Sequence, residues 1–265
     1  MSTSKSIDIA WLDKHESRLR RSFDINGYVY VPGFAGADDL ARIVQEKDRY
    51  IRDVVPTQPT AEVYYEDKDR LETLKQIQKM FQYDDFFRGL MIDSPWQRLA
   101  EVCLGQGVDA KNMQHFNKPP GVGKPTPPHQ DGYYFHLKPN HAITMWMALE
   151  DVDPEQGCVN YVQGSHRYGM RAHGQTGTLG FSQGIVDFGG CDHDKSNAMA
   201  FPCRAGDLIA HHSLTIHWAT GNTTSDRTRQ ALGWIYYGTE CEEDQVSAAN
   251  YQAQLAANLQ KDAKI

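Results

Sequence analysis

Apolar positions in the first hundred residues recur at three- and four-residue steps. In GADDLARIVQEKDRYIRDVV, Leu40, Ile43, Val44, Ile51 and Val54 form one stripe with charges between them. That is the pattern of an amphipathic helix, with Asp38 or Asp39 placed to meet its N-terminal dipole. Just before it, GYVYVPGF alternates and is rich in β-branched residues, which predicts a short strand closed by Pro32-Gly33. Residues 68–104 carry two further helical patterns, broken near Ser94-Pro95. After about residue 108 the period shortens. MQHFN, GYYFHL, AITMWMALE, CVNYVQG, AMAFP, DLIAHH and ALGWIYYG are β-rich runs separated by Gly, Pro, Asn and Asp. Many short strands with turn signals argue for a sandwich or jelly roll, not a sheet of βαβ units. Residues 167–195, rich in Gly, Asp and His, read as a long loop or lid, and the tail from about 242 as a polar helix. The expected fold class is mainly β with flanking helices. One domain over 1–265 fits best, with a helical part of about 1–107 buttressing a jelly roll of about 108–240.

Composition narrows the partners. With 265 residues, 40% hydrophobic and 23% charged, the chain can bury a sizeable core. A net charge of −7 gives no field that would attract phosphate backbones, so no nucleic-acid partner is expected. Cys103, Cys158, Cys191, Cys203 and Cys241 form no CxxC and read as free thiols of a reducing compartment, Cys158 as a small core residue. The opening residues lack the apolar core of a signal peptide, no run approaches transmembrane length, and QKDAKI is not a peroxisomal address. A cytoplasmic protein with no membrane partner is expected; the pattern says nothing of oligomeric state.

The chemistry concentrates in TPPHQDGYYF, residues 126–135. Side chains two apart on a strand project to the same face, so His129 and Asp131 would converge on one point. An imidazole nitrogen with a carboxylate oxygen suits a borderline ion such as iron(II), and a second histidine would complete a facial triad with three open positions. Such a pair is common by chance, and a surface turn is the bland alternative. Downstream, LTIHWATGNTTSDRTRQALGWIYYG places His217 at the end of a strand-like run, then a polar turn, then a strand opening with Arg229. Hairpin geometry returns Arg229 toward the strand of His217. A guanidinium there suits a five-carbon dicarboxylate, one end on the metal and the far carboxylate in a bidentate fork. His211 shares parity with His217 as a third ligand, and Arg227 shares parity with Arg229.

The ordered set resembles the phytanoyl-CoA dioxygenase family of iron(II)- and 2-oxoglutarate-dependent oxygenases. The matching stretches are FDINGYVYVPGF, FNKPPG (116–121), HQD (129–131), WMALED (146–151), QG (156–157), GSH (164–166) and AGD (205–207), then His217, Asn222 and RQAL (229–232), over about residues 20–238. The resemblance implies a double-stranded β-helix of cupin-like form, with His129, Asp131 and His217 as iron(II) ligands. It places the far carboxylate of 2-oxoglutarate on Arg229, with Trp146 and Gln114 in the same pocket and dioxygen as the other cosubstrate. The family often carries a small hydroxyl residue two past the distal histidine; here that position is Ala219, so Thr220 or Asn222 is expected to donate instead. Lys75 or Lys79 is expected to assist the cosubstrate. Spacing to Asn222 and Arg229 ranks His217 above His211, leaving His211-His212 a structural role that includes supporting hydrogen bonds. Related iron halogenases have a small residue where Asp131 stands, so hydroxylation is expected.

Lys118, Asn117, Tyr133 and Arg167 are assigned to the substrate side, with Lys124 and Arg171 nearby and Tyr134 and Phe135 in the core. These cations point to a small polar or anionic metabolite, such as the aminophosphonate 2-aminoethylphosphonate. The alternatives are an acyl-CoA hydroxylase of the same family, a non-catalytic jelly-roll binding protein, and a zinc hydrolase on the same three ligands, which would not need Arg229.

Overall fold

Alternation in the central strands decides the architecture, because each sends one row of side chains to either face. The computed structural model describes residues 5–178, 181–250 and 253. Its larger sheet has seven strands in the order β1 (Tyr28–Val31), β12 (Leu208–His212), β7 (Ala142–Ala148), β14 (Gln230–Gly238), β4 (Val108–Asn117), β3 (Leu74–Ile77) and β2 (Val63–Tyr65). All neighbours are antiparallel. A four-stranded sheet, β11 (Ala198–Phe201), β8 (Val159–Val162), β13 (His217–Ala219) and β5 (Thr126–His129), packs on one face of it. Tyr28, Trp146, Ile209 and Ala231 from the large sheet meet Val159 and Tyr161 from the small one. The two antiparallel layers form the expected jelly roll.

Helices cover the opposite face. α1 (Ile9–Asn26), α2 (Ala37–Asp53), α3 (Met80–Tyr83), α4 (Asp85–Met91) and α5 (Pro95–Leu104) send Leu12, Phe23, Ile43, Phe87 and Leu99 into the main core. There they meet Met113, Met145, Leu208, Leu232 and Trp234, the odd and even positions that the strands turn outward from the small sheet. Asp84 and Ser94 cap α4 and α5, and Pro95 occupies the first turn, where its missing N–H costs nothing. Trp234 is fully buried, stacks on Trp96 with centroids 5.2 Å apart, and donates from Nε1 to the Leu90 carbonyl at 3.2 Å.

Several local expectations need correction. The break at Ser94 is where the pattern placed it, but residues 74–77 form β3, not helix. LKQI holds two polar residues, and pairing of Gln76 with Phe116 and Ile77 with His115 makes it a strand. The run GYYF is a helical turn, α6 (Gly132–Phe135). Segment 167–195 is more ordered than a lid loop: it holds a hairpin of β9 (His173–Thr178) and β10 (Phe181–Ile185) and a short helix, α7 (Asp192–Ser196). In the tail, β15 (Glu242–Glu243) pairs with β6 (Leu137–Lys138) and residues 245–250 are helical. Beyond them only residue 253 of the expected polar helix lies within the described residues. No described helix is long and apolar enough to cross a membrane. Truncating the central aromatic, Trp234→Ala, should cost about 3–5 kcal/mol of unfolding free energy, read as a lower urea midpoint at unchanged slope.

Candidate metal centre

β5 ends at His129, and Asp131, at φ −57 and ψ −34, already starts the helical turn of α6. The two side chains therefore converge because the backbone turns, not because strand parity continues. β13 supplies the third group. His217 is the direct cross-strand partner of His129, and their rings lie 4.1 Å apart. The Nε2 atoms of His129 and His217 stand 3.4 and 3.5 Å from Asp131 Oδ1. One ligand atom from each of the three falls within 4.8 Å of the others, and no second such group occurs among the described residues.

The protonation pattern fits a cation. His129 Nδ1 lies 2.8 Å from the Pro127 carbonyl and His217 Nδ1 lies 3.0 Å from that of Thr215. Carbonyl oxygens only accept, so each Nδ1 carries the hydrogen and each Nε2 keeps its lone pair for the shared point. Burial, reinforced by His129 and His211, pushes His217 well below the ordinary histidine value, which keeps it neutral. Burial pushes the Asp131 carboxyl up, but His217, His129 and His211 outweigh it and hold the group well below the usual range. Two imidazoles and one carboxylate are the donor set of a facial triad. Donors about 2.0–2.2 Å from one ion must lie within roughly 4.4 Å of each other, and both imidazole–carboxylate separations do.

Asp131 offers the metal one oxygen because the other is committed. Its Oδ2 accepts from Thr144 Oγ1 at 2.6 Å and from His211 Nε2 at 3.1 Å, while His211 Nδ1 meets the Tyr161 hydroxyl at 3.0 Å. His211, the rival third ligand, thus supports the carboxylate, and His212 turns away toward Phe23, His141 and His166. Gln130, between His129 and Asp131, is wholly buried. Its side chain donates to the carbonyls of Gly169 and Leu214 and accepts from the Arg171 N–H, and its own N–H donates to His173.

A cavity of about 430 Å³ runs from the three ligands across the inner face of the large sheet. Arg229 stands in its wall, 5% exposed, with Cζ 5.5 Å from the Trp146 ring centroid. Among the described residues its Nε has no hydrogen-bond partner, and burial lowers its pKa to about 10. Gly233 lies between Gln114 and Trp146 in the same row, and a Cβ there would stand 2.8 Å from the Phe116 ring. Its missing side chain makes room for the Phe116 ring, which lines the cavity. Lys75 is buried, 3.1 Å from Glu66 and close enough to Arg229 to feel its charge, whereas Lys79 is half-exposed and paired with Glu62 at 2.8 Å. Of the two lysines, Lys75 is the one beside Arg229.

Other expected site residues divide sharply. Trp146, Gln114, Asn117 and Lys118 line the cavity; Arg227 faces outward to Asp153 and Glu155. Thr220 and Asn222 do not line it, contrary to expectation. Thr220 is exposed near the Pro154 carbonyl, and Asn222 donates to the carbonyls of Lys118 and Arg227, clasping the ladder end that positions Arg229. Tyr133 stacks on His173 at 4.4 Å outside the cavity lining, and Tyr134 and Phe135 take the wall instead, a swap caused by the helical turn. Arg167 is exposed away from the cavity, and Arg171 is held by Asp187 and Asp194. Thr144, Tyr161 and Lys111 also line the cavity and were missed; only strand register reveals them.

A jelly roll that brings two histidines and an aspartate together beside a buried arginine defines an oxygenase dependent on iron and 2-oxoglutarate. The phytanoyl-CoA dioxygenase model matches residues 23–231, and the chain belongs to that family. Peroxisomal phytanoyl-CoA dioxygenase of Mus musculus is 25% identical over 249 residues, covering 88% of this chain and 71% of its own. Among solved structures, EvdO2 from Micromonospora carbonacea var. aurantiaca complexed with 2-oxoglutarate is 25% identical with a TM-score of 0.68, covering 92% of this chain and 96% of that one. EctD from S. alaskensis with bound Fe has a TM-score of 0.70 at 18% identity, covering 84% and 76%, a likeness of fold.

Replacing the donor to Asp131, Thr144→Val, should weaken iron(II) binding about tenfold or more in a competitive chelator titration, with the fold intact by circular dichroism.

Proposed function

We propose that the protein hydroxylates an unactivated C–H bond of a small metabolite bearing an anionic group, using iron(II), 2-oxoglutarate and dioxygen. The observation that carries this reading is Arg229, a buried guanidinium with no carboxylate ion pair among the described residues, in the same cavity as the His129, Asp131 and His217 cluster. Those three residues would hold iron(II) on one side only. When bound, the iron with its keto-acid cosubstrate supplies dioxygen activation coupled to decarboxylation. The chain itself supplies placement. Arg229 offers a fork for the far carboxylate, and the Trp146 ring steadies the guanidinium from one face. Tyr134, Phe135, Ile235 and Tyr237 form an apolar wall near the ligands that excludes water. The 2-oxoglutarate carried by EvdO2 supports the same cosubstrate here. A carboxylate at 131 fills the coordination position with protein oxygen, which favours hydroxylation.

The cavity's other end supports that substrate class. The register of β14 against β4 slips between Ile235, opposite Asn112, and Tyr236, opposite Ala110, so Lys111 is the extra residue of a β-bulge. Bulges re-aim side chains. The Lys111 ammonium stands 5.0 Å from the Tyr237 ring centroid, in the cavity wall, and Lys79 lines the same wall. Cations beside aromatic rings suit a compact carbon body with a carboxylate, phosphonate or phosphate.

Succinate formation across small carboxylates, phosphonates including 2-aminoethylphosphonate, and acyl-CoA thioesters tests the substrate class; turnover of acyl-CoA alone would overturn it. Arg229→Met should lower kcat/KM for 2-oxoglutarate by about 10- to 150-fold, the worth of a charge-assisted pair, and an unaffected variant would sink the oxygenase reading. Lys111→Gln should raise KM for the substrate about tenfold while leaving substrate-free decarboxylation unchanged.

A further inference from the structure

Strand pairing extends the row of side chains at the metal centre across the whole small sheet. His129 on β5 pairs with His217 on β13, His217 with Tyr161 on β8, and Tyr161 with Met199 on β11. Direct cross-strand partners share a face, with Cβ atoms about 4.5–5.5 Å apart. Two candidate iron ligands, a phenol and a thioether therefore stand side by side. β11 is the outer strand of that sheet, and the row ends in solvent there: Tyr161 is fully buried, whereas Met199 is 46% exposed. Tyr28 of β1 bridges the last gap. Its ring lies 5.2 Å from that of Tyr161, and its hydroxyl donates to the Met199 sulfur at 3.5 Å. At the inner end the Tyr161 and His217 rings stack with centroids 5.8 Å apart. Asp131 takes the Nε2 hydrogen of His211, which leaves Nδ1 to accept from the Tyr161 hydroxyl at 3.0 Å. A phenol gives up an electron readily only when its proton has somewhere to go, and Tyr161 holds that acceptor already.

We propose that this row is a protective relay, which draws electrons from Met199 to the metal centre when the keto acid is consumed without substrate. The inference rests on reading the centre as that of an iron and 2-oxoglutarate oxygenase. In such a cycle one oxygen atom of dioxygen leaves in succinate, and the other must be reduced to water by two electrons and two protons. Tyr161 passes an electron inward while its proton moves to His211 Nδ1. Met199 then refills Tyr161 through Tyr28, and the proton returns. Two such passes remove two electrons from the sulfur. Water adds its oxygen there, which gives the sulfoxide and releases two protons, matching those consumed at the centre. Electron transfer weakens steeply with distance, so short steps between touching groups outrun one long step. Oxidation is thereby moved from buried ligands, where it would end catalysis, to an exposed side chain that sulfoxide reductases can restore.

The test is aerobic incubation of the iron(II)-loaded protein with 2-oxoglutarate and no substrate, in heavy-oxygen water with catalase present, read by peptide mass spectrometry. Met199 should gain a labelled oxygen in step with succinate, while Met170, 40% exposed but outside the row, stays reduced. Tyr161→Phe should lose the labelled sulfoxide per succinate formed. Met199→Leu should begin turning over the keto acid like the wild type and then stop after fewer cycles, with oxidation appearing at Tyr161. Unlabelled oxygen on Met199, equal oxidation of Met170, or labelled sulfoxide persisting in Tyr161→Phe would overturn the relay alone. So would a Met199→Leu variant that lasts as many cycles as the wild type. A wild type that forms no succinate would overturn the oxygenase reading, and the relay with it.

Discussion

The site depends on one piece of strand pairing, the placement of His217 against His129 across β13 and β5. Those strands belong to the small sheet, and their rungs fix two imidazoles at a separation that neither loop could hold by itself. Everything else is arranged around that rung. The helical turn after β5 swings Asp131 back beside it, and the large sheet supplies Thr144 and His211 from behind to hold one carboxylate oxygen. The helices on the far face anchor the large sheet, so the stacked tryptophans of the core help to aim groups on the opposite side of the same strands.

Charge is distributed along the cavity in a way that separates its tasks. Around the ligand cluster burial keeps His217 neutral, while the surrounding histidines hold Asp131 ionised against the pull of burial, the protonation states in which each can donate a lone pair. Away from it the wall becomes cationic, with Arg229, Lys118 and Lys75 lining it and Glu66 paired to Lys75. Trp146 and Phe116 line the cavity as well, presenting flat aromatic faces. An elongated molecule with an electron-rich head and an anionic tail matches that gradient, which is why orientation within the cavity follows from electrostatics before any specific contact is made.

Much of this was legible in the chain. The shift from helical to short alternating periods located the jelly roll, and the order of His129, Asp131, His217 and Arg229 identified the groups that meet. The reason given for one of them was wrong: Asp131 joins through a turn, and the same turn exchanges Tyr133 for Tyr134 at the wall. Local pattern cannot distinguish a four-residue turn from a strand when both are aromatic-rich. Thr220 and Asn222 were read as cosubstrate donors by proximity, yet Asn222 spends its amide on two backbone carbonyls. The strand of residues 74–77 and the bulge at Lys111 exist only through register with distant segments, which no window of sequence contains. The family pattern already ranked Arg229 above Arg227, and Arg227 commits its charge to the outward ion pairs with Asp153 and Glu155.

Gln130 deserves its own consequence. It occupies the middle of the ligand motif, and its amide joins the segments around Gly169, Arg171 and Leu214. The motif is therefore not a portable cassette. Grafted onto a different hairpin, the same three residues would bring two donors without the frame that sets their angle, whereas a change at 169–171 could misalign the donors while leaving each of them chemically intact.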